Sequence, residues 1–91
     1  MKIDAFSKIS DISVYTLRYY DRLNILKPLR VNETNGYREY SSQQLLRVAE
    51  INSLKELGLT VKEMAHFFAN EIKELRHLIN QTEQQIKLLL Y

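Results

Sequence analysis

The chain contains no cysteine and no tryptophan, and it has only one proline and two glycines in 91 residues. Without cysteine it forms neither a disulfide nor a thiolate metal site. No apolar run approaches the roughly 20 residues that a membrane-spanning helix needs, and the first residues lack the pattern of a signal peptide. We therefore expect a cytoplasmic protein with no metal, no cofactor and no membrane partner, of a length that suits one globular domain with a modest core.

Positive charge is concentrated in the first part of the chain. Residues 1–40 hold seven Lys and Arg against five Asp and Glu, whereas the rest of the chain is balanced. The segment from Arg18 to Arg30 has four cations and one acid, Asp21. A basic patch on a neutral body suits contact with phosphate groups, although charge alone leaves a chance distribution on a solvated face equally open.

Helix starts and turns are clearly marked. Capping boxes begin at Thr60 and at Ser41, and Ser13 fits a third N-cap position. Pro28 prevents helix continuation, and Asn35-Gly36 is a strong hairpin signal. The predicted elements are helices at about 4–10, 13–22, 42–57, 61–69 and 71–90, and a hairpin near 29–40.

The helix predicted at 42–57 has apolar residues around most of its circumference. This distribution predicts a central helix that its neighbours cover on all sides. The apolar residues are Leu45, Leu46, Val48, Ala49, Ile51, Leu54 and Leu57.

The last predicted helix has a different repeat. Apolar residues and one threonine recur at spacings of 3, 4, 3, 4 and 3, as at the a and d positions of a coiled coil. The ordinary alternative is an amphipathic helix folded onto its own core. We favour self-association, because a small domain has little spare surface and an isolated helix of this length is marginally stable. The predicted dimerisation seam is Ile72, Leu75, Ile79, Thr82, Ile86 and Leu89.

Two short helices joined by the turn at 10–12 predict a helix-turn-helix, a motif whose second helix enters the major groove of DNA. Val14 and Leu17 would face inward. Arginine binds a guanine edge or a phosphate, and Tyr and Thr hydroxyls bind phosphate oxygens. The residues left facing outward or to the flanks are Tyr15, Thr16, Arg18, Tyr19 and Arg22, and the hairpin beside them would be a wing with similar donors.

Four motifs carry a resemblance to a known family. They are Thr16-Leu-Arg-Tyr-Tyr-Asp21, Leu26-Lys-Pro28, Gly36-Tyr-Arg-Glu-Tyr40, and Leu54-Lys-Glu-Leu-Gly-Leu59 with the Thr-Val-Lys-Glu-Met that follows. In this order and spacing they resemble the DNA-binding domain of the MerR family of bacterial transcription regulators. The resemblance implies a mainly α fold: a winged helix-turn-helix domain at 1–69 with a small two-stranded wing, then an antiparallel coiled-coil dimerisation helix at 71–91.

The resemblance also implies a function. Family members bind a near-palindromic operator as homodimers and bend and untwist an overlong promoter spacer, so that RNA polymerase reaches both promoter elements. The helix contacts it implies are Ser13, Tyr15, Thr16, Arg18, Tyr19 and Tyr20, and the wing contacts are Tyr37 and Arg38. Lys27, Arg30, Tyr40 and Lys55 are expected beside phosphates. For Tyr20 and Tyr40 a place in the core is an equal alternative, since buried tyrosine is common.

The chain departs from the family in three ways, at Asp11, at Asn24 and in its lack of the residues with which other members sense an effector. Asp11 and Asn24 stand where glycine is usual, and both residue types tolerate a left-handed backbone. Family members that sense metals use cysteine and those that sense drugs carry a further domain, so the residues present support no effector.

Other functions are weakly supported. His66 and His77 have no partners at metal-ligand spacing, and no nucleophile–base set is present, so we expect no enzyme. The alternatives left open are an architectural or excisionase-like DNA-bending protein, a ligand-independent repressor, a protein-interaction module on the same fold, and the front part of a longer regulator.

Overall fold

The fold is that of a computed structural model, which describes the backbone of residues 1–90 and the side chains of residues 1–82. Two members of the predicted dimerisation seam, Ile86 and Leu89, have side chains outside the described residues. The elements in chain order are α1 (Ile3–Ser10), α2 (Val14–Arg22), β1 (Arg30–Val31), β2 (Arg38–Glu39), a 3-10 turn (Ser42–Gln44), α3 (Leu45–Glu56) and α4 (Val61–Leu90).

The turn between α1 and α2 follows from two residues. Asp11 ends α1 in the left-handed conformation, with φ 58° and ψ 31°. Ser13 is extended, and its Oγ accepts the backbone N–H of Thr16 at 3.1 Å, which caps α2. The predicted helix-turn-helix is therefore confirmed, with Asp11 taking the conformation that glycine adopts more readily.

A second left-handed residue ends α2. Asn24 has φ 60°, and the N–H groups of Ile25 and Leu26 then donate to the carbonyl of Tyr20 at 2.9 and 3.3 Å. This reversal turns the chain back, so that Ile25 and Leu26 are buried beneath the end of the helix.

The predicted hairpin is present, with shorter strands than expected. β1 and β2 pair antiparallel, with Arg30 opposite Glu39 and Val31 opposite Arg38. The strands are short because the Asn32 side chain accepts the N–H groups of Thr34 and Asn35, which folds residues 32–36 into the turn. Gly36 has φ +70° there, a conformation that glycine adopts without strain.

A third segment of the chain pairs with the hairpin, and the sequence did not indicate it. Lys2 forms an antiparallel bridge with Glu39, and the N–H of Tyr40 donates to the carbonyl of Met1 at 2.6 Å. The first two residues therefore extend the small sheet and fix the wing to the start of α1.

The core lies where the four helices and the end of the wing meet. Its buried residues are Phe6, Leu17, Tyr20, Ile25, Leu26, Tyr40, Val48, Ile51, Met64 and Phe68. Because α2 and the residue after β2 both contribute, the core fixes the orientation of the helix-turn-helix relative to the wing.

The expectation for the third helix was wrong. α3 buries Val48 and Ile51 on one face, but Leu46 on another face and Leu57 directly after the helix are 73% and 76% exposed. The small domain has too few elements to surround a helix, so α3 packs on one side only.

The last two predicted helices are one helix. α4 starts with the predicted capping box, in which the N–H of Thr60 donates to Glu63 Oε1 at 3.0 Å and lowers the pKa of that carboxyl. It then continues past residue 70, where a break was expected, because no proline or glycine interrupts it. Within the described residues, no helix is both long and apolar enough to cross a membrane.

Candidate nucleic-acid interface

The outer face of α2 carries a row of hydrogen-bonding side chains. Leu17 and Tyr20 are buried and hold the helix against the core. Tyr15, Arg18 and Tyr19 are one or two positions away from these buried residues in sequence, so they lie on the opposite side of the helix, and Tyr15 is 77% exposed. Ser13 and Thr16 lie at the N-terminus of the same helix, exposed and half-buried.

Arg22 extends this surface by one turn. Its guanidinium carbon lies 5.7 Å from the centroid of the Tyr19 ring, which is within reach of a cation–π interaction. The contact orients both side chains on the exposed side of α2.

The wing presents a second group of donors. Tyr37 is 55% exposed at the end of the turn. Arg30 is exposed and its Nε donates to Glu39 Oε2 across the two strands at 2.7 Å. Of the two predicted wing contacts, Tyr37 is therefore accessible and Arg38 is half-buried between the wing and α2, while Arg30, predicted beside a phosphate, is accessible as well.

Asp21 links α2 to the wing. Its two carboxylate oxygens accept from Arg38 Nε at 2.9 Å and from Lys27 Nζ at 3.3 Å, and its side chain is only 14% exposed. Gln44 Nε2 in turn donates to the carbonyl of Lys27. One carboxylate at the end of the helix thus orients a wing arginine and a loop lysine, a role that the sequence analysis missed.

A cleft separates α2 from the wing. It has a volume of about 240 Å³ and is lined by Lys2, Ile3, Asp4, Arg18, Gly36, Tyr37 and Arg38. We call it the N-terminal cleft, because Lys2, Ile3 and Asp4 form one wall. It brings together three residues predicted to bind DNA, Arg18, Tyr37 and Arg38.

Two predicted contacts are corrected. Tyr20 and Tyr40 are core residues, and the Tyr40 ring stacks on Phe6 with centroids 4.6 Å apart. Burial, with the nearby Asp21 carboxylate, raises the pKa of Tyr40. Both side chains are inaccessible to DNA because they fill the space between α1, α2 and the wing, which is the alternative that the sequence left open.

The remaining predicted phosphate neighbours lie outside the cleft. Lys27 is exposed and paired with Asp21. Lys55 is exposed in the last turn of α3, which does not line the cleft. The structure leaves both accessible to DNA without bringing them next to Arg18.

The described part of the seam is on the surface. Ile72, Leu75 and Ile79 are 44%, 54% and 57% exposed, and Thr82 is exposed as well. This segment of α4 is therefore not folded onto its own core, which was the ordinary alternative. His66 and His77 are also exposed, and no group of potential metal ligands occurs among the residues that were described.

Comparison with known proteins agrees with the resemblance found in the sequence. The family model for the MerR HTH family regulatory protein matches residues 1–71. The multidrug-efflux transporter 1 regulator of Bacillus subtilis is 35% identical over 85 residues, which are 93% of this chain and 31% of that protein. The chain thus spans about a third of the length of this curated relative.

Solved structures of MerR-type regulators are also similar to this chain. The EcmrR–DNA complex in EcmrR-RPo has a TM-score of 0.72 and 37% identity over 93% of this chain and 33% of that one. HiNmlR, a MerR family regulator lacking the sensor domain and bound to promoter DNA, has a TM-score of 0.64 over 99% of this chain and 84% of that one. At 23% identity, the second likeness concerns the fold alone.

Proposed function

Because the chain belongs to the MerR family of helix-turn-helix regulatory proteins, we propose that it binds a near-palindromic promoter operator as a homodimer and distorts the DNA to control transcription. The observation that carries this proposal is the exposed row of Tyr15, Arg18 and Tyr19 on α2, with the wing donors Tyr37 and Arg38 across the N-terminal cleft.

The chemistry of each element suits one part of a duplex. An α-helix fits the major groove, where Arg18 can bond the O6 and N7 atoms of a guanine. Ser13 and Thr16 lie at the start of α2, where backbone N–H groups and hydroxyls favour a phosphate. The wing would reach the neighbouring backbone, with Lys27, Arg30 and Lys55 adding phosphate contacts.

The homodimer is proposed from the exposed seam on α4. Pairing through Ile72, Leu75 and Ile79 would remove apolar surface from water and hold two copies of α2 at a fixed separation. Two α2 helices held in this way contact the two half-sites of one operator. If their separation differs from that of the half-sites on relaxed DNA, binding forces the duplex to bend or untwist. RNA polymerase at the promoter is then the proposed further partner, and the nucleoid of the cytoplasm the proposed location.

Replacing Arg18 with alanine tests the reading surface. An operator would first be obtained by binding-site selection with the purified protein. We expect Arg18→Ala to weaken operator binding by about 1–3 kcal/mol and to relax discrimination at one base pair in each half-site, because a bidentate contact is lost. Fluorescence anisotropy on the operator and on single-base variants measures both effects.

Arg76→Ala is the matched control, since it removes the same charge from an exposed position on α4. It should reduce affinity slightly and equally for every sequence. An Arg18→Ala protein with unchanged operator affinity and discrimination would remove Arg18 from the interface. In vitro transcription with and without the protein then separates an activator from a repressor or an architectural bender.

A further inference from the structure

The position of Lys2 is fixed by main-chain contacts on both sides. Its backbone forms the bridge to Glu39 of the wing, and its carbonyl accepts the N–H of Phe6 at 3.0 Å at the start of α1. A residue between a strand and a helix, held in this way, has little freedom in its main chain. The direction of its side chain is therefore set by the fold.

The Lys2 side chain reaches into the N-terminal cleft. Its ammonium nitrogen lies 4.9 Å from the centroid of the Tyr37 ring, a cation–π distance. Arg18 of α2 and Arg38 of β2 line the same cleft, so cations from three separate elements surround it. Asp4 contributes the only carboxylate of the lining.

The three cations outnumber the two nearby carboxylates, which are Asp4 in the lining and Asp21 paired with Arg38, so the cleft is positively charged and an anion in it is favoured. The cleft also lies in a particular place: α2 forms one side and the wing the other. When a helix occupies the major groove and a wing reaches the adjacent groove, the strand of sugar and phosphate that separates the two grooves must pass between them.

We propose that the N-terminal cleft binds a phosphodiester group of this strand and that Lys2 is one of its ligands. Arg38 would flank the same phosphate and the Tyr37 hydroxyl would donate to it, while Arg18 on the α2 side of the cleft would contact the base edge. The inference rests on the proposed function, and it adds the first residues of the chain to the DNA interface as a third element beside α2 and the wing.

Lys2→Ala is the direct test, made in protein with no added N-terminal residues. We expect affinity to fall about two- to fivefold for each protomer bound, on the operator and on random duplex alike, which is the size of an exposed ion pair. The slope of log affinity against log salt should become shallower by about 1.8 for the bound dimer, because each of its two protomers loses one phosphate contact worth about 0.9. Lys2→Arg should restore both values.

Two further variants make the test specific. Lys8→Ala removes the same charge from an exposed position in the last turn of α1 that does not line the cleft, so it should change the slope little. Asp4→Asn removes the carboxylate of the lining and should raise affinity on both duplexes. Equal effects of Lys2→Ala and Lys8→Ala would overturn the site, since general charge would then explain them.

Failure of the inference and failure of the proposed function give different results. If Lys2→Ala binds like the unmodified protein while Arg18→Ala loses the operator, the cleft is not a phosphate site and the proposed function stands. If Arg18→Ala also binds every duplex unchanged, the proposed function itself is wrong. Circular dichroism of each variant verifies that the helices are intact.

Discussion

At the scale of single residues, the hydroxyl of Tyr40 has an unusual environment. It is buried, and it has no hydrogen-bond partner among the described residues. An unsatisfied buried polar group costs about 1–3 kcal/mol. We expect Tyr40→Phe to leave the free energy of unfolding unchanged or to raise it by up to about 2 kcal/mol, as measured by urea denaturation, and to leave operator affinity unchanged.

Tyr37→Phe is the matched control for this prediction. The Tyr37 ring is exposed on the wing, so removal of its hydroxyl should leave stability unchanged and weaken DNA binding. A loss of operator affinity in Tyr40→Phe would contradict the assignment of Tyr40 to the core. A loss of stability above about 1 kcal/mol would show that its hydroxyl does have a partner.

The sequence predicted residues whose role is set by local geometry. Ser13 and Thr60 act on main-chain groups within three positions, so capping rules were sufficient to identify them, whereas Asp11 and Asn24 were identified through the resemblance to the family, in which glycine is usual there. Burial of Tyr40 depends on the ring of Phe6, which lies 34 positions earlier in the chain. A phenol suits both a core and a phosphate contact, and local rules do not distinguish the two.

At the scale of elements, the Asp21 carboxylate determines how the wing is held against α2. The partly buried pair with Arg38 spans 17 positions of sequence, whereas the Arg30–Glu39 pair lies within the hairpin. We expect Asp21→Asn to reduce the ratio of operator affinity to random-duplex affinity by up to about fivefold, because the orientation of the wing is loosened. Competition binding with the two duplexes measures this ratio.

Glu39→Gln gives the comparison at equal charge. Both substitutions remove one negative charge, so affinity for random duplex should rise by a similar amount in each. Only Asp21→Asn should reduce the ratio, since Glu39 pairs with a residue of its own hairpin. Equal ratios in the two variants would mean that Asp21 acts through its charge alone.

The sequence also predicted the helices and the hairpin more completely than the pairing between segments that are distant in the chain. The Asn35-Gly36 turn identified the hairpin because the signal is contained in two adjacent residues. The bridge between Lys2 and Glu39 consists of one residue pair and leaves no periodic pattern in either segment. The third wall of the cleft was therefore visible only in the structure.

At the scale of the whole molecule, the chain is elongated. Its radius of gyration is 16.7 Å, whereas a compact chain of this length would have about 12 Å. The difference arises because α4 continues beyond the core and exposes Ile72, Leu75 and Ile79. A heptad repeat predicted this stripe, but a repeat specifies only that the stripe needs an apolar partner. Its position outside the core is what favours a second copy.

Lysine at two seam positions tests that dimer. We expect the double variant Leu75→Lys with Ile79→Lys to be monomeric in analytical ultracentrifugation, because four lysines would meet at the paired seam. The monomer should keep its fold, since neither residue is in the core, but lose the affinity gained by binding two half-sites together. The double variant Asn80→Lys with Gln81→Lys adds equal charge to the same helix off the seam and should remain dimeric. An intact dimer in the seam variant would contradict pairing through α4, and monomers in both variants would attribute the effect to charge alone.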